Sequence, residues 1–379
     1  MNPAIAARIP LVCRTKPPGK PLAERIADLT ALSIDPAGAD HHERVARACG
    51  VLNISALVAS DAALPGMAAD LCWRQHQVFA EAGSLDREIA VMSLMPLINL
   101  ARLLIREGDG QAAYELLDQL YRAAQQRGAT VIHGHDIDLA PLTHTRDDHS
   151  AVCTELWVAL LIDGARALAQ QGRWSDAADA MATHRGIGDR LLDGRQLKVM
   201  ALLEQDRPVE ATAVIDSTMP AEPWETAVAA LLRIAIRPAT TLTPQDEVEH
   251  VLVQTYGLVT AQEPTTAAFR THLALTALDV TASHDQPSGT HLAAAVIDVA
   301  ATDAYAARDV LAHPAMRSGM TGQQHQDLAA VIAAAALGTG SIPDIHLKVL
   351  NEAVEHAEER LRSLLATTEY PRPTFLEKT

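Results

Sequence analysis

The chain has 379 residues and a formal net charge of −16; a field of that sign repels phosphate backbones and argues against nucleic acid as a partner. Hydrophobic residues make up 48% and aromatics only 3%, so alanine, leucine and valine must supply the core, and alanine and leucine are strong helix formers. Cys13, Cys49, Cys72 and Cys153 stand far apart with no CxxC pair, which argues against a disulfide framework or a cysteine zinc site and points to a reducing cytoplasm.

Residues 1–21 carry Arg8, Arg14, Lys16 and Lys20 among prolines and are expected to form a flexible arm. The apolar stretch 4–12 is short and broken by Arg8 and Pro10, unlike the core of a signal peptide. No apolar run reaches the roughly 20 residues of a membrane-spanning helix. A cytoplasmic location and no membrane partner are therefore expected. Leu22, Ile26, Leu29 and Leu32 recur at steps of three and four, one face of a helix. Residues 40–59 read as one or two further helices with a break near Gly50. The stretch 46–57 faintly resembles a helix-turn-helix turn. Its would-be recognition helix, 52–60, holds no arginine, lysine or glutamine to reach a base edge.

The clearest organisation follows. Helices are expected at 71–82, 95–107, 111–126, 154–171, 175–183, 189–205 and 209–217. Three of their turns share a form: Gly108-Asp-Gly-Gln-Ala-Ala113, Gly172-Arg-Trp-Ser-Asp-Ala177 and Asp206-Arg-Pro-Val-Glu-Ala211. Gly172 and Asp206 lie 34 residues apart, and Gly108 and Gly172 lie 64 apart, near two units. A turn former ends one helix, and a small residue five positions on lets the next lie close. A helix–turn–helix period of about 34 residues is the tetratricopeptide period, and the segment 161–178 resembles a tetratricopeptide turn. The likeness covers about 65–235, without the large aromatics usual in the first helix of that repeat. It implies an all-α, right-handed α-solenoid of antiparallel helical hairpins. It also implies a binding, regulatory or adaptor role toward a protein, a peptide or a small ligand, as in bacterial tetratricopeptide regulators without a DNA-binding domain. A homodimer is compatible with it.

The expected organisation is thus an arm at 1–21, a hairpin array at 22–238, a C-terminal helical region at 239–366 continuing the array, and a tail at 367–379. Within that region helices are expected at 245–258, 265–282, 290–312, 322–337 and 345–365. Thr243 and Pro244 are read as cap and first helical residue. Trp73, Trp157, Trp174 and Trp224 are read as core.

Two polar loops interrupt the array. The first, 128–150, holds His133, His135, Asp136, Asp138, His144, Asp147, Asp148 and His149. On an extended segment His133 and His135 would face one way. A third ligand from Asp138, His144 or His149 would then complete a divalent-metal site. The same residues also read as a solvated, hydrogen-bonded loop, or as metal-free contacts to a polar ligand. The second loop, 183–195, carries His184, Arg185, Arg190 and Arg195 with three glycines. Backbone N–H groups there would face an anion, with the arginines adding contacts. The plainer reading makes Asp189 a helix cap and pairs the arginines with nearby acids. No GxxxxGK[ST], GxSxG or HExxH signature occurs, and no cofactor other than that metal is expected. The alternative to a binding protein is an enzyme, metal-assisted or not, with its site built from 133–149 and 184–195.

Overall fold

The computed structural model describes residues 3–237, 243–261, 263–282, 284 and 286–366. The first two residues of the expected arm, the expected boundary at Pro238 and the expected tail at 367–379 lie outside them. Among the described residues 72% are helix and 3% strand, so the all-α expectation holds. The chain divides into two compact units. Unit one gathers 3–22, 108–114 and 160–337, and unit two gathers 23–107, 115–159 and 338–366, among the described residues.

In unit two the helix His41–Asp61 packs on Pro65–Ala82, that helix on Arg87–Arg106, and that in turn on Arg146–Ala159. Asp40 caps the first through Glu43 N, and Asp86 caps the third through Ile89 N. His41–Asp61 runs unbroken through Gly50, so the expected break, and the turn that a helix-turn-helix needs, are absent. Burial of Val45, Val51, Leu52 and Val58 on neighbouring helices outweighs the roughly 1 kcal/mol that an internal glycine costs. Arg87–Arg106 is long and apolar enough to cross a membrane by composition, which the residue-by-residue reading missed. It buries Ile89, Leu94, Leu97, Ile98 and Ala101, as a core helix does.

The helix Asp344–Ala366 does not continue the array in sequence order. It packs on His41–Asp61 and Pro65–Ala82. The cause is its apolar stripe of Leu350, Val354, Ala357, Leu361 and Leu365, spaced for one helix face. Arg74 grips Glu358 with Nε and Nη2 at 2.7 and 3.0 Å, and Arg360 pairs with Asp35. Inside the unit, Asp61 receives both Arg25 and Arg106, each at 2.8 Å.

Unit one contains Ala165–Gln170, Trp174–Thr183, Asp193–Glu204, Pro208–Asp216 and Pro223–Ala235, then Gln245–Val259, Ala267–Val280, Pro287–Ala300, Ala304–Ala312, Pro314–Gly319 and Gly322–Ala334. A π-helical stretch, Leu160–Gly164, leads into Ala165–Gln170. The helix expected at 290–312 is two, parted at 301–303, and its first turn begins at Pro287 rather than after Thr290. Pro244 is the N-cap of Gln245–Val259, without a side-chain cap from Thr243.

The three turns compared in the sequence share a backbone form. Gly108, Gly172 and Asp206 have φ of 86°, 76° and 57°. Arg173 N donates to Leu168 O and Arg207 N to Leu202 O, the long bond of a Schellman helix end. Five positions on, Ala113, Ala177 and Ala211 are fully buried. Gly110 marks a close approach: a Cβ there would lie 2.3 Å from the Ala167 carbonyl oxygen. Gly110→Ala is therefore expected to destabilise by about 1–3 kcal/mol despite alanine's better helix propensity. Gly257→Ala, in a helix with nothing within 4 Å of its new Cβ, is expected to stabilise by about 0.5–1 kcal/mol. Urea midpoints of the two variants check the opposite signs.

Candidate functional site

The N-terminal segment is not a free arm. Residues 3–22 belong to unit one, and Ile5, Ile9 and Leu11 are buried in its core with Leu191, Val199 and Leu273. Burial of Ile5, Ile9 and Leu11, with Arg8 and Arg14 finding carboxylates, makes docking favourable where composition suggested flexibility. The segment is held along its length by side chains of the helices it crosses. Arg8 donates both terminal nitrogens to Asp279, at 2.9 and 2.5 Å, and His313 Nε2 meets the other oxygen of that carboxylate at 3.0 Å. Gln196 takes both backbone groups of Leu11: Leu11 N donates to Oε1 at 2.7 Å, and Nε2 donates to Leu11 O at 2.8 Å. Arg14 forks onto Asp193, with Nη1 to Oδ1 at 3.1 Å. Arg166 Nη2 reaches Pro10 O at 2.7 Å and Asp193 at 3.3 Å. Further on, Lys16 N donates to Thr265 O. Gly19 N donates to Asp303 Oδ2 at 2.7 Å, and Ala304 N donates to Gly19 O at 3.0 Å. A Cβ at Gly19 would lie 2.7 Å from Ala304 N, so only glycine fits against that helix start.

The loop 183–195 lies in unit one, beside this segment's anchors. Two of its arginines, Arg190 and Arg195, are committed internally. Arg190 Nε and Nη2 donate to Glu225. Burial works to raise the Glu225 carboxyl, but hydrogen bonds from Arg190 and from the Ala221 and Leu191 N–H groups outweigh it and hold the carboxyl below its ordinary value. Arg195 donates to Gly188 O, Val214 O and the Ser217 hydroxyl. Arg185 is exposed with φ of 56°, and His184 is half-buried. Of the loop's three glycines, Gly186 and Gly194 sit at close approaches, and Gly188 is exposed with open space around it. Gly186 N donates to Met181 O at 2.7 Å, and a Cβ on Gly194 would lie 2.3 Å from Gly186 O. The helix begins at Asp193, not Asp189; Asp189 caps nothing and points to solvent near Arg195. Asp193, read in the sequence only as a residue of the loop, and Gln196, not singled out there, lie on the first turn of that helix. Their only signal was an acid and an amide at a helix start.

The loop 128–150 lies in unit two. It is a hairpin followed by the start of the helix Arg146–Ala159. Strand β1, Ala129–Ile132, pairs antiparallel with β2, His135–Asp138. His133 and Gly134 form the two-residue turn, with φ of 50° and 82°, the sign pattern of the favoured hairpin turn. His133 is therefore in the turn, and the two histidines do not share one face of a strand as expected. His135 stacks on Trp73, centroids 3.8 Å apart and planes at 16°. Asp136 is exposed, and Asp138 accepts from Ala140 N. Asp148 bonds with Thr145. His149 Nε2 lies 3.5 Å from Cys153 Sγ. Burial foremost, then the Arg127 charge, lowers the His149 pKa, while burial raises the Cys153 thiol against the pull of Arg127. Both groups are thus held neutral, which is poor preparation for a nucleophile. His133, His135, Asp138 and His149 are not brought together: among the described residues no three histidine, cysteine, aspartate or glutamate side chains are placed to hold a metal ion. The two loops belong to different units.

Comparison with family models, with curated proteins and with solved structures finds no match for this chain. The site is therefore defined by its own geometry, and the best-built polar constellation is the set of side chains gripping residues 8–19.

Near the hairpin, His76 packs edge-on to Trp73, 6.0 Å between centroids. Burial, with a smaller contribution from the charge of His135, lowers its pKa to about 4. The unfolded chain then binds a proton before the folded chain does. The associated stability is complete above about pH 6.5 and is lost as pH falls toward 4. Between pH 7 and 5 His76 should account for ~2 kcal/mol of lost stability. His76→Phe should flatten that acid limb in urea titrations; an unchanged limb would assign it elsewhere.

Proposed function

We propose that the protein is a helical-repeat adaptor of the tetratricopeptide-like kind. In this reading its hairpins form a right-handed α-solenoid, and unit one provides a groove for an extended basic peptide. The chain's own 8–19 segment is the resident occupant of that groove. The observation that carries the reading is the Gln196 clamp. An amide that satisfies both the N–H and the C=O of one residue in an extended segment grips any peptide backbone, whatever its side chain. Acidic sockets on either side, Asp279 for Arg8 and Asp193 for Arg14, then select for cations. Affinity from the backbone and selectivity from pockets is how grooves read extended peptides. The shared form of the 108, 172 and 206 turns supports the repeat.

A partner protein offering such a segment would compete with the resident one. A second copy of the chain would do so by exchange, giving a homodimer of the swapped kind. The net charge of −16 favours cationic partners and sets nucleic acid aside. A cytoplasmic setting fits four free thiols. The enzyme alternative, with or without a metal at 133–149 and 184–195, draws less support, because Arg190 and Arg195 are spent on protein groups and the two histidines of the hairpin diverge.

The test uses the folded full chain with a protease site inserted at 20–21. After cleavage, a labelled peptide of residues 3–20 should exchange into the groove while the helical signal is kept. Gln196→Ala should weaken its hold roughly thirtyfold, the loss of two hydrogen bonds. A cleaved but folded protein that takes up no peptide would overturn the reading.

A further inference from the structure

We infer that unit one contains an oxyanion site in the cleft between the 10–16 segment and the helix Ala267–Val280, fitted to a carboxylate or a phosphate group. The cleft encloses about 30 Å³ and is walled by Pro10, Arg14, Lys16, Arg166, Phe269 and His272 among others. A water needs roughly 10–15 Å³ of such space, so the cleft seats two oxygens of an oxyanion and not a whole nucleotide. Every ionisable side chain on its wall is a cation or an imidazole. Arg14 and Arg166 converge on the single carboxylate of Asp193, and Asp163 adds a more distant charge. His272 already meets Asp309, at 2.9 Å. Lys16 is exposed at the mouth.

Arg166 supplies the second, independent observation. Its Nη2 is used by Pro10 and Asp193, but its Nε is buried without a hydrogen-bond partner. Arg166 is half-buried, but its Nε is not in reach of water, and an unmade buried donor is costly and rare. Burial first, and the like charge of Arg14 among the lesser causes, lowers the Arg166 pKa. An oxyanion in the cleft would relieve both, by accepting from the guanidinium and by supplying the negative charge that Asp193 divides between two arginines. Planar guanidiniums suit a carboxylate or phosphate for the same geometric reason. Since Arg14 and Lys16 belong to the docked segment and Arg166 to the helix beneath it, the anion would bridge the two and hold the segment down.

This site does not depend on the peptide reading, because it uses the segment in its resident position. The full chain is melted in rising inorganic phosphate, in acetate, and in chloride at matched ionic strength. Phosphate also strengthens burial in any protein, so the readout is the comparison between the wild type and Lys16→Gln. The wild type should show a saturable gain in Tm over chloride. Lys16→Gln, measured against its own Tm in chloride, should move half-saturation up about tenfold, one charge-assisted bond. Arg166→Lys, which keeps the charge but not the fork, should abolish the gain. Saturation with acetate alone assigns a carboxylate ligand, and with phosphate alone a phosphoryl ligand. A gain that does not saturate, or that Lys16→Gln shares unchanged, overturns the site even if the segment exchanges with peptide as described above.

Discussion

The order of unit one rests on the first turn of the helix Asp193–Glu204. Asp193 and Gln196 are buried there, and both bond to the N-terminal segment. A buried carboxylate is tolerable only when paired, and a buried amide only when its donors and acceptors are filled. Arg14 and Arg166 answer the first need. The Leu11 and Leu191 carbonyls and the Leu11 N–H answer the second. The helix start therefore demands the segment as much as the segment demands the groove. Ile5, Ile9 and Leu11 then add apolar burial that the polar contacts alone would not supply.

This reciprocity bears on specificity. Gln196 recognises backbone and is indifferent to sequence, whereas Asp279 and Asp193 demand cations six residues apart, as Arg8 and Arg14 are. Gly19 closes the register: its backbone must pass within contact of Ala304 N. In the proposed groove, backbone clamp, spaced acids and the glycine at 19 would together define an occupant far more narrowly than an apolar groove would.

Much of the helical framework was legible because periodicity and turn formers are local signals. Gly172 and Asp206 announced left-handed turns, and Ala113, Ala177 and Ala211 announced close approach. The helix expected at 345–365 is observed as Asp344–Ala366. What was not legible depended on partners distant in sequence. Arg8 and Arg14 look like a solvated basic arm until Asp279 and Asp193 are in place. Asp344–Ala366 carries an ordinary amphipathic face, and nothing local says that it covers His41–Asp61. The polar loops misled for a related reason. Histidine and arginine density suggested a ligand site, but Arg190 had Glu225 and His135 had Trp73, neither visible in the loop itself. A two-residue turn at His133 and Gly134 was enough to undo the spacing argument for a metal.

The placement of Asp344–Ala366 has a consequence for how the molecule comes into being. The helices it covers, His41–Asp61 and Pro65–Ala82, are among the first made, yet Leu350, Val354 and Leu361 reach them only when nearly the whole chain exists. Until then those helices expose the apolar surface meant for the last one. Unit two thus combines packing between neighbouring helices with contacts of very long sequence separation, the kind that slows folding most. During synthesis its early helices would stand uncovered while unit one is being made, a window in which a chaperone's grip would matter more than the final stability of either unit.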